Sequence, residues 1–133
     1  MSRVLFRRLK RKFDPDDRVD LLLSSEDPEL GRYLDAVNAI AATHMDAEGR
    51  ITIKIHDARG VSKACWLEEM AHALQYLRDG NIPLSRESPE RNAREVEVAQ
   101  CLIGRIDRGR LSPDERPHLE RALAFYGGEA IDG

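Results

Sequence analysis

From Trp66 to Gln75 the chain reads Trp-Leu-Glu-Glu-Met-Ala-His-Ala-Leu-Gln, and from Arg94 to Gln100 it reads Arg-Glu-Val-Glu-Val-Ala-Gln. Both stretches suit helices, and the first sets two metal-competent side chains one turn apart. Residues at i and i+4 project from one side of a helix, so Glu68 and His72 share a face while Glu69 lies roughly a right angle away. That is the spacing of a His-Glu-x-x-His zinc helix with Glu in place of the first His: two ligands on one face and an intervening carboxylate placed as general base for a metal-activated water. The second helix, with Glu95 and Glu97 among Val96, Val98 and Ala99, would supply the third ligand. Carboxylates in so apolar a stretch call for a cation, since desolvation otherwise raises their pKa or destabilises the fold. A Glu and a His at this spacing also form an ordinary helical pair contributing a few tenths of a kcal/mol, so the pair by itself does not establish a metal site.

A chain of 133 residues has the length of one domain with a single core, and 1–133 is expected to be one. The hydrophobic fraction of 41% and charged fraction of 34% are ordinary for a globular protein, and a net charge of -3 gives no overall attraction to nucleic acid or membrane. Charge is unevenly spread, however. Arg3, Arg7, Arg8, Lys10, Arg11 and Lys12 fall in a basic arm, residues 1–13, that contains no acid. Such an arm could touch an anionic membrane surface; the plainer reading is a solvated helix or a frayed terminus. No long apolar run follows the basic residues, so a cleavable signal is not expected, and no segment has the length to span a bilayer. The expected location is the cytoplasm where the chain is made. The aromatic residues are not interleaved with basic ones, so specific nucleic-acid binding is not expected. Cys65 and Cys101 form no Cys-x-x-Cys pair, which argues against a disulfide framework or a thiolate zinc knuckle.

Periodicity and punctuation give the element order helix, strand or small sheet, then three helices. Asp14-Pro15-Asp16-Asp17 breaks the pattern after the arm. Asp27 caps a helix with Pro28 in its first position, and Leu30, Tyr33, Leu34, Val37, Ile40 and Ala41 recur at helical spacing. A turn at Asp46 to Gly49 leads into Arg50 to His56, where Ile51, Ile53 and Ile55 alternate with polar residues as in a half-exposed, edge-type strand. Ser62 caps the next helix, whose buried stripe is expected at Leu67, Met70, Ala71, Leu74 and Leu77, and Asp79-Gly80-Asn81 stops it. Ser88-Pro89-Glu90 starts another, with Val96, Ala99, Leu102, Ile103 and Ile106, and Ser112-Pro113-Asp114-Glu115 starts the last, which Gly127-Gly128 should end.

The pattern Glu-Glu-x-x-His-Ala-x-Gln on one helix, after a strand and a glycine-containing turn and before Arg-Glu-Val-Glu and Leu102-Ile103, resembles the zincin-like domains at the C-terminal ends of bacterial polymorphic toxins. The resemblance covers 48–126, including the last helix from Leu119 to Tyr126; the N-terminal third has no counterpart. It implies a mainly helical α+β zincin-like domain with a small β-sheet and an active-site helix packed on a second, ligand-bearing helix. It further implies Glu68 and His72 as metal ligands, Glu69 as the catalytic general base, and Glu95, in preference to Glu97, as third ligand. Gln75 could donate to a substrate or, from outside the ligand set, to a ligand carboxylate, and a capping or surface role fits it equally. The implied cofactor is a divalent metal: zinc, with manganese or iron competing more easily than at a two-His site because two carboxylates make a harder donor set. The implied activity is metal-dependent peptide hydrolysis of toxin or effector type, with a protein or peptide substrate, delivery to another cell and an immunity protein as partner. Position 68 departs from ordinary zincins, and Ala99 lacks the polar group that often orients a ligand His.

Two rivals remain at this level. One is a catalytically inactive zincin-like interaction domain that uses the helix groove to bind a protein partner. The other is a carboxylate-rich di-metal bundle, which needs paired Glu-x-x-His motifs where only Glu69 to His72 supplies one. Cys65 could contribute a thiolate near Glu68, though a buried unreactive cysteine fits as well. His44, His56 and His118 stand apart from any second ligand at suggestive spacing and read as structural.

Overall fold

The computed structural model describes residues 2–80 and 89–132. Its elements are α1 (Arg3–Phe13), β1 (Val19–Leu23), α2 (Pro28–Ala36), β2 (Ala41–Met45), β3 (Ile51–Ile55), α3 (Lys63–Asp79), α4 (Pro89–Asp107) and α5 (Arg116–Asp132), with short 3-10 turns at Asp57–Arg59 and Pro113–Glu115. The class is α+β, with one small mixed sheet among the described residues. Two compact units divide the chain, Met1–Asn81 and Ile82–Gly133. The stretch 48–126 therefore draws on both.

In the first unit the sheet order is β1-β3-β2, with β1 parallel and β2 antiparallel to β3. Ile51, Ile53 and Ile55 alternate as expected and are at most 1% exposed. Their strand is nevertheless the central one, not an edge. Its parallel neighbour β1, Val-Asp-Leu-Leu-Leu, carries no strand signal of its own, because a short apolar run has no period that separates strand from helix, and the acidic segment before it reads only as a breaker. The β2–β3 turn is built by Asp46, whose Oδ1 accepts from the backbone N–H of Glu48 and of Arg50, and by Gly49 at φ +87°, a conformation glycine adopts without strain.

Asp27 and Pro28 start α2 as the sequence indicates, the Asp27 carboxylate accepting from Glu29 and Leu30 N–H. The helix stops at Ala36 rather than running to Ala41. Asn38, at φ +55°, turns the chain left-handed, and Ala39 N–H closes the end on Leu34 O at 2.9 Å. Ala41 thus begins β2, and Tyr33, Val37 and Ile40 are exposed while Leu30 and Leu34 are buried.

The basic arm is a folded helix with one side docked. Phe6 is 2% exposed and meets Phe13 edge to face at 6.5 Å. Asp14, 5% exposed, receives the N–H groups of Arg18 and Val19 at 2.8 Å each, and Lys10 pairs with both Asp14 and Asp17. A buried carboxylate with two backbone donors and a cation is well satisfied, so the Asp-Pro-Asp-Asp segment is a joint between α1 and the sheet.

Ser62 caps α3 through Cys65 N–H, and Gly80, at φ +77°, closes it. The helix packs on β2 and β3, turned differently from the expected stripe: Trp66, Leu67, Met70, Ala73 and Gln75 are buried, whereas Leu74 is 44% exposed. A tryptophan has far more area to bury than a leucine, and the helix rotates to cover it.

In the second unit α4 and α5 pack together. Val98, Ala99, Leu102 and Ile106 are buried on α4 and Leu119 on α5. Ser112 accepts from Asp114 N–H and so caps the Pro113–Glu115 turn rather than the last helix itself, which begins at Arg116, while Ser88 lies outside the described residues. The last helix does not end at Gly127-Gly128 but continues to Asp132. Glycine weakens a helix by about 1 kcal/mol relative to alanine and ends it only when it turns left-handed, and Gly127 does not have a positive φ.

Candidate functional site

Glu68, Glu69, His72 and Gln75 all lie on α3, which Ser62 starts and the sheet supports. Glu69, a quarter-turn from the Glu68–His72 face, turns toward β2: Thr43 Oγ1 donates to Glu69 Oε2 at 2.5 Å and lies 3.2 Å from the Glu69 carbonyl oxygen. One turn further along α3, His72 Nδ1 is 2.9 Å from Gln75 Oε1. An amide oxygen can only accept, so in this contact Nδ1 is the donor. Gln75 is 4% exposed, and a buried acceptor holding a histidine N–H is the usual way a ligand ring is oriented.

Glu95 and Glu97 belong to α4 in the second unit. Glu95 is half-buried and stands three and four residues before Val98 and Ala99, in line with the apolar stripe; Glu97 is exposed, on the side of Gln100 and Cys101. Among the described residues no group of three or more His, Cys, Asp or Glu side chains is gathered as a metal site. Glu68 and His72 form the pair on α3, and the remaining expected donors are on the other unit. No family model, curated protein or solved structure matches the chain.

A second polar constellation, which the sequence did not reveal, lies at the other end of the first unit. His56, 5% exposed, places Nδ1 2.8 Å from Ser24 Oγ and Nε2 3.0 Å from Asp35 Oδ1. Ser24 Oγ accepts from Ala58 N–H at 3.1 Å and lies 3.2 Å from Asp57 Oδ1, while Arg59 pairs with Asp35 at 2.8 Å. The residue types are those of a nucleophilic triad, but their arrangement is that of a clamp. The Ser24 oxygen is surrounded by three protein partners at 6% exposure, and Ala58 N–H points at the hydroxyl rather than at the place of a developing oxyanion. The clamp joins the end of β1, the end of β3, the 3-10 turn and α2. Gly31 packs against it, and a Cβ there would sit 3.4 Å from His56 Cε1, an ordinary contact. Burial works against the Asp57 charge, but hydrogen bonds from Ser25 Oγ, Ser25 N–H and Ser24 Oγ outweigh it and hold the carboxyl below its ordinary range.

Elsewhere, Cys65 on α3 and Cys101 on α4 form no disulfide among the described residues. His44 on β2 is exposed and its pKa is lowered, by desolvation first and by Lys54 second. No described helix is long and apolar enough to cross a membrane.

Proposed function

We propose that the chain is a zincin-like, metal-dependent peptidase-type domain of the kind its Glu-Glu-x-x-His helix resembles. The observations that support this reading are the one-turn spacing of Glu68 and His72 on α3 and the buried Gln75, whose Oε1 lies 2.9 Å from His72 Nδ1 and would orient the ring. The donor chemistry of Glu68 and His72 on α3 suits a divalent cation, which these two would hold; the third donor implied by the resemblance, Glu95 in preference to Glu97, is part of the proposal. A cation held there supplies Lewis-acid polarisation of a scissile carbonyl and acidification of water. Of the protein's own groups, Glu69 is the proton acceptor, and Thr43 fixes its carboxylate by one oxygen. On this reading the substrate is a protein of a competing cell, and the producer holds an immunity partner.

The interaction-domain alternative is favoured by one observation, the 2.5 Å bond from Thr43, which also makes Glu69 a staple between α3 and β2. Metal analysis of the purified chain and of a Glu68→Ala/His72→Ala variant separates the two. The peptidase reading expects about one equivalent of zinc, manganese or iron in the parent, loss of it in the variant, and a melting temperature that chelator lowers. Absence of metal from both proteins, with identical melts in zinc, manganese and chelator, favours the interaction domain.

A further inference from the structure

The free edge of β1 is only partly closed. Ile51 N–H donates to Arg18 O and Ser24 N–H to Ile55 O, so the even-numbered residues of β1 turn their backbone groups to β3 and the odd-numbered ones turn theirs outward. Three outward groups are capped: Val19 N–H by Asp14 Oδ2 at 2.8 Å, Leu21 O by Arg3 Nη2 at 3.1 Å, and Leu23 O by Glu26 N–H at 3.0 Å. Val19 O, Leu21 N–H and Leu23 N–H have no hydrogen-bond partner among the described residues, and the first two lie side by side on the groove. Val19 O and Leu21 N–H flank Asp20 as the acceptor and donor with which one residue of an added strand pairs. An unpaired edge is ordinarily blunted or covered, and main-chain groups left unpaired at an edge can take up a further strand.

These groups border a groove. Arg3, Phe6, Arg7 and Lys10 of α1 line one side and Val19 to Leu22 the other, enclosing about 350 Å³. Arg3 is committed to Glu26 and Lys10 to Asp14 and Asp17, and the Asp20 carboxylate is neutralised by Arg50 in a two-pronged pair. Arg7 makes no ion pair among the described residues, so the mixed polar and apolar lining of the groove keeps one uncommitted guanidinium.

We propose that this groove binds an extended acidic peptide segment that adds to the free edge of β1. A peptide supplies both the carbonyl that Leu21 N–H lacks and the N–H that Val19 O lacks, with a carboxylate for Arg7. A phosphate or a lipid headgroup would satisfy the donors and leave Val19 O unpaired. The site is independent of the α3 residues, on the opposite edge of the sheet from β2.

The test uses the full chain and the labelled peptide acetyl-Val-Glu-Val-Glu-Val-amide, with Gln-for-Glu and Lys-for-Glu versions as controls. Binding is expected for the acidic peptide, weaker by about tenfold for the Gln version and absent for the Lys version. Arg7→Glu, which breaks no ion pair, should weaken the acidic peptide by about tenfold or more while the melting temperature stays unchanged. In an amide-exchange measurement the peptide should slow exchange at Leu21. Equal binding of the three peptides, or binding that leaves Leu21 exchange unchanged, overturns the proposal. So does binding of anionic vesicles or duplex RNA that matches the peptide and is lost in Arg7→Glu, since the α1 face would then be a general polyanion surface.

Discussion

Thr43 of β2 donates to the Glu69 carboxylate of α3 at 2.5 Å, so the residue that the Glu-Glu-x-x-His spacing assigns to proton transfer also ties the helix to the sheet. The two roles separate by mutation. Glu69→Gln keeps an oxygen for Thr43 to donate to, whereas Glu69→Ala and Thr43→Val each remove the bond. A hydrogen bond to a charged group contributes about 1.5–3 kcal/mol when buried, and this half-buried pair should lie at the low end. Urea denaturation should show a loss of about 1–2 kcal/mol for Thr43→Val and Glu69→Ala and less for Glu69→Gln. Peptide hydrolysis, if present, should fall about a hundredfold in Glu69→Gln. Activity unchanged by that variant would end the general-base assignment.

Gln75 is the next discriminator. Gln75→Leu keeps an apolar, similar-sized side chain in a buried position but removes the acceptor that holds His72 Nδ1–H. Groups that orient a ligand histidine typically contribute about ten- to a hundredfold in metal affinity. The expected result is a tenfold or greater loss of zinc affinity by competition with a chromophoric chelator, with the helical circular dichroism retained. Undiminished affinity would show that His72 is not oriented through Gln75.

At the His56 clamp the informative position is Gly31. It lies within α2, with a helical rather than a left-handed backbone, and an added Cβ would meet His56 Cε1 at 3.4 Å and Ser24 Cβ at 3.5 Å, ordinary contact distances. Gly31→Ala should therefore raise stability by about 0.5–1 kcal/mol through helix propensity. Gly31→Val presses further atoms into the clamp and should cost about 1–3 kcal/mol. A destabilised Gly31→Ala in thermal unfolding would mean that His56 cannot yield even a few tenths of an ångström.

Asp57 predicts the acid limb of stability. Its folded pKa is held below the ordinary 3.8 by the hydrogen bonds from Ser25 and Ser24 that overcome its burial. A depressed carboxyl contributes stability that is fully present above the unfolded value and is lost as pH falls through the folded one. Stability should thus lose this contribution only below about pH 4. Asp57→Asn should lower stability at pH 7 and flatten the decline below pH 4, measured by urea midpoints across pH. A parallel acid limb in both proteins would remove Asp57 from the account.

Local chemistry made much of the chain legible before folding. Asp27, Ser62, Gly80 and Ser112 act at helix ends where short-range hydrogen bonding and left-handed turns put them, and Asp46 to Gly49 forms its turn for the same reason. The alternation of Ile51, Ile53 and Ile55 is a local period as well, and so is the one-turn spacing of Glu68 and His72. Tertiary structure decided the rest. β1 became a strand only because β3 offers it a parallel partner, and its apolar run carries no period that says so. Ile40 and Ala41 left the helical pattern because Asn38 turns the chain and β3 takes up the segment that follows. Trp66 outweighed Leu74 in orienting α3. The bonds of Glu69 to Thr43 and of His56 to Ser24 and Asp35 span 26, 32 and 21 residues. A sequence carries helix caps and periods in windows of a few residues, whereas which side chain meets a distant partner follows from how sheet and helices bury their largest apolar surfaces together.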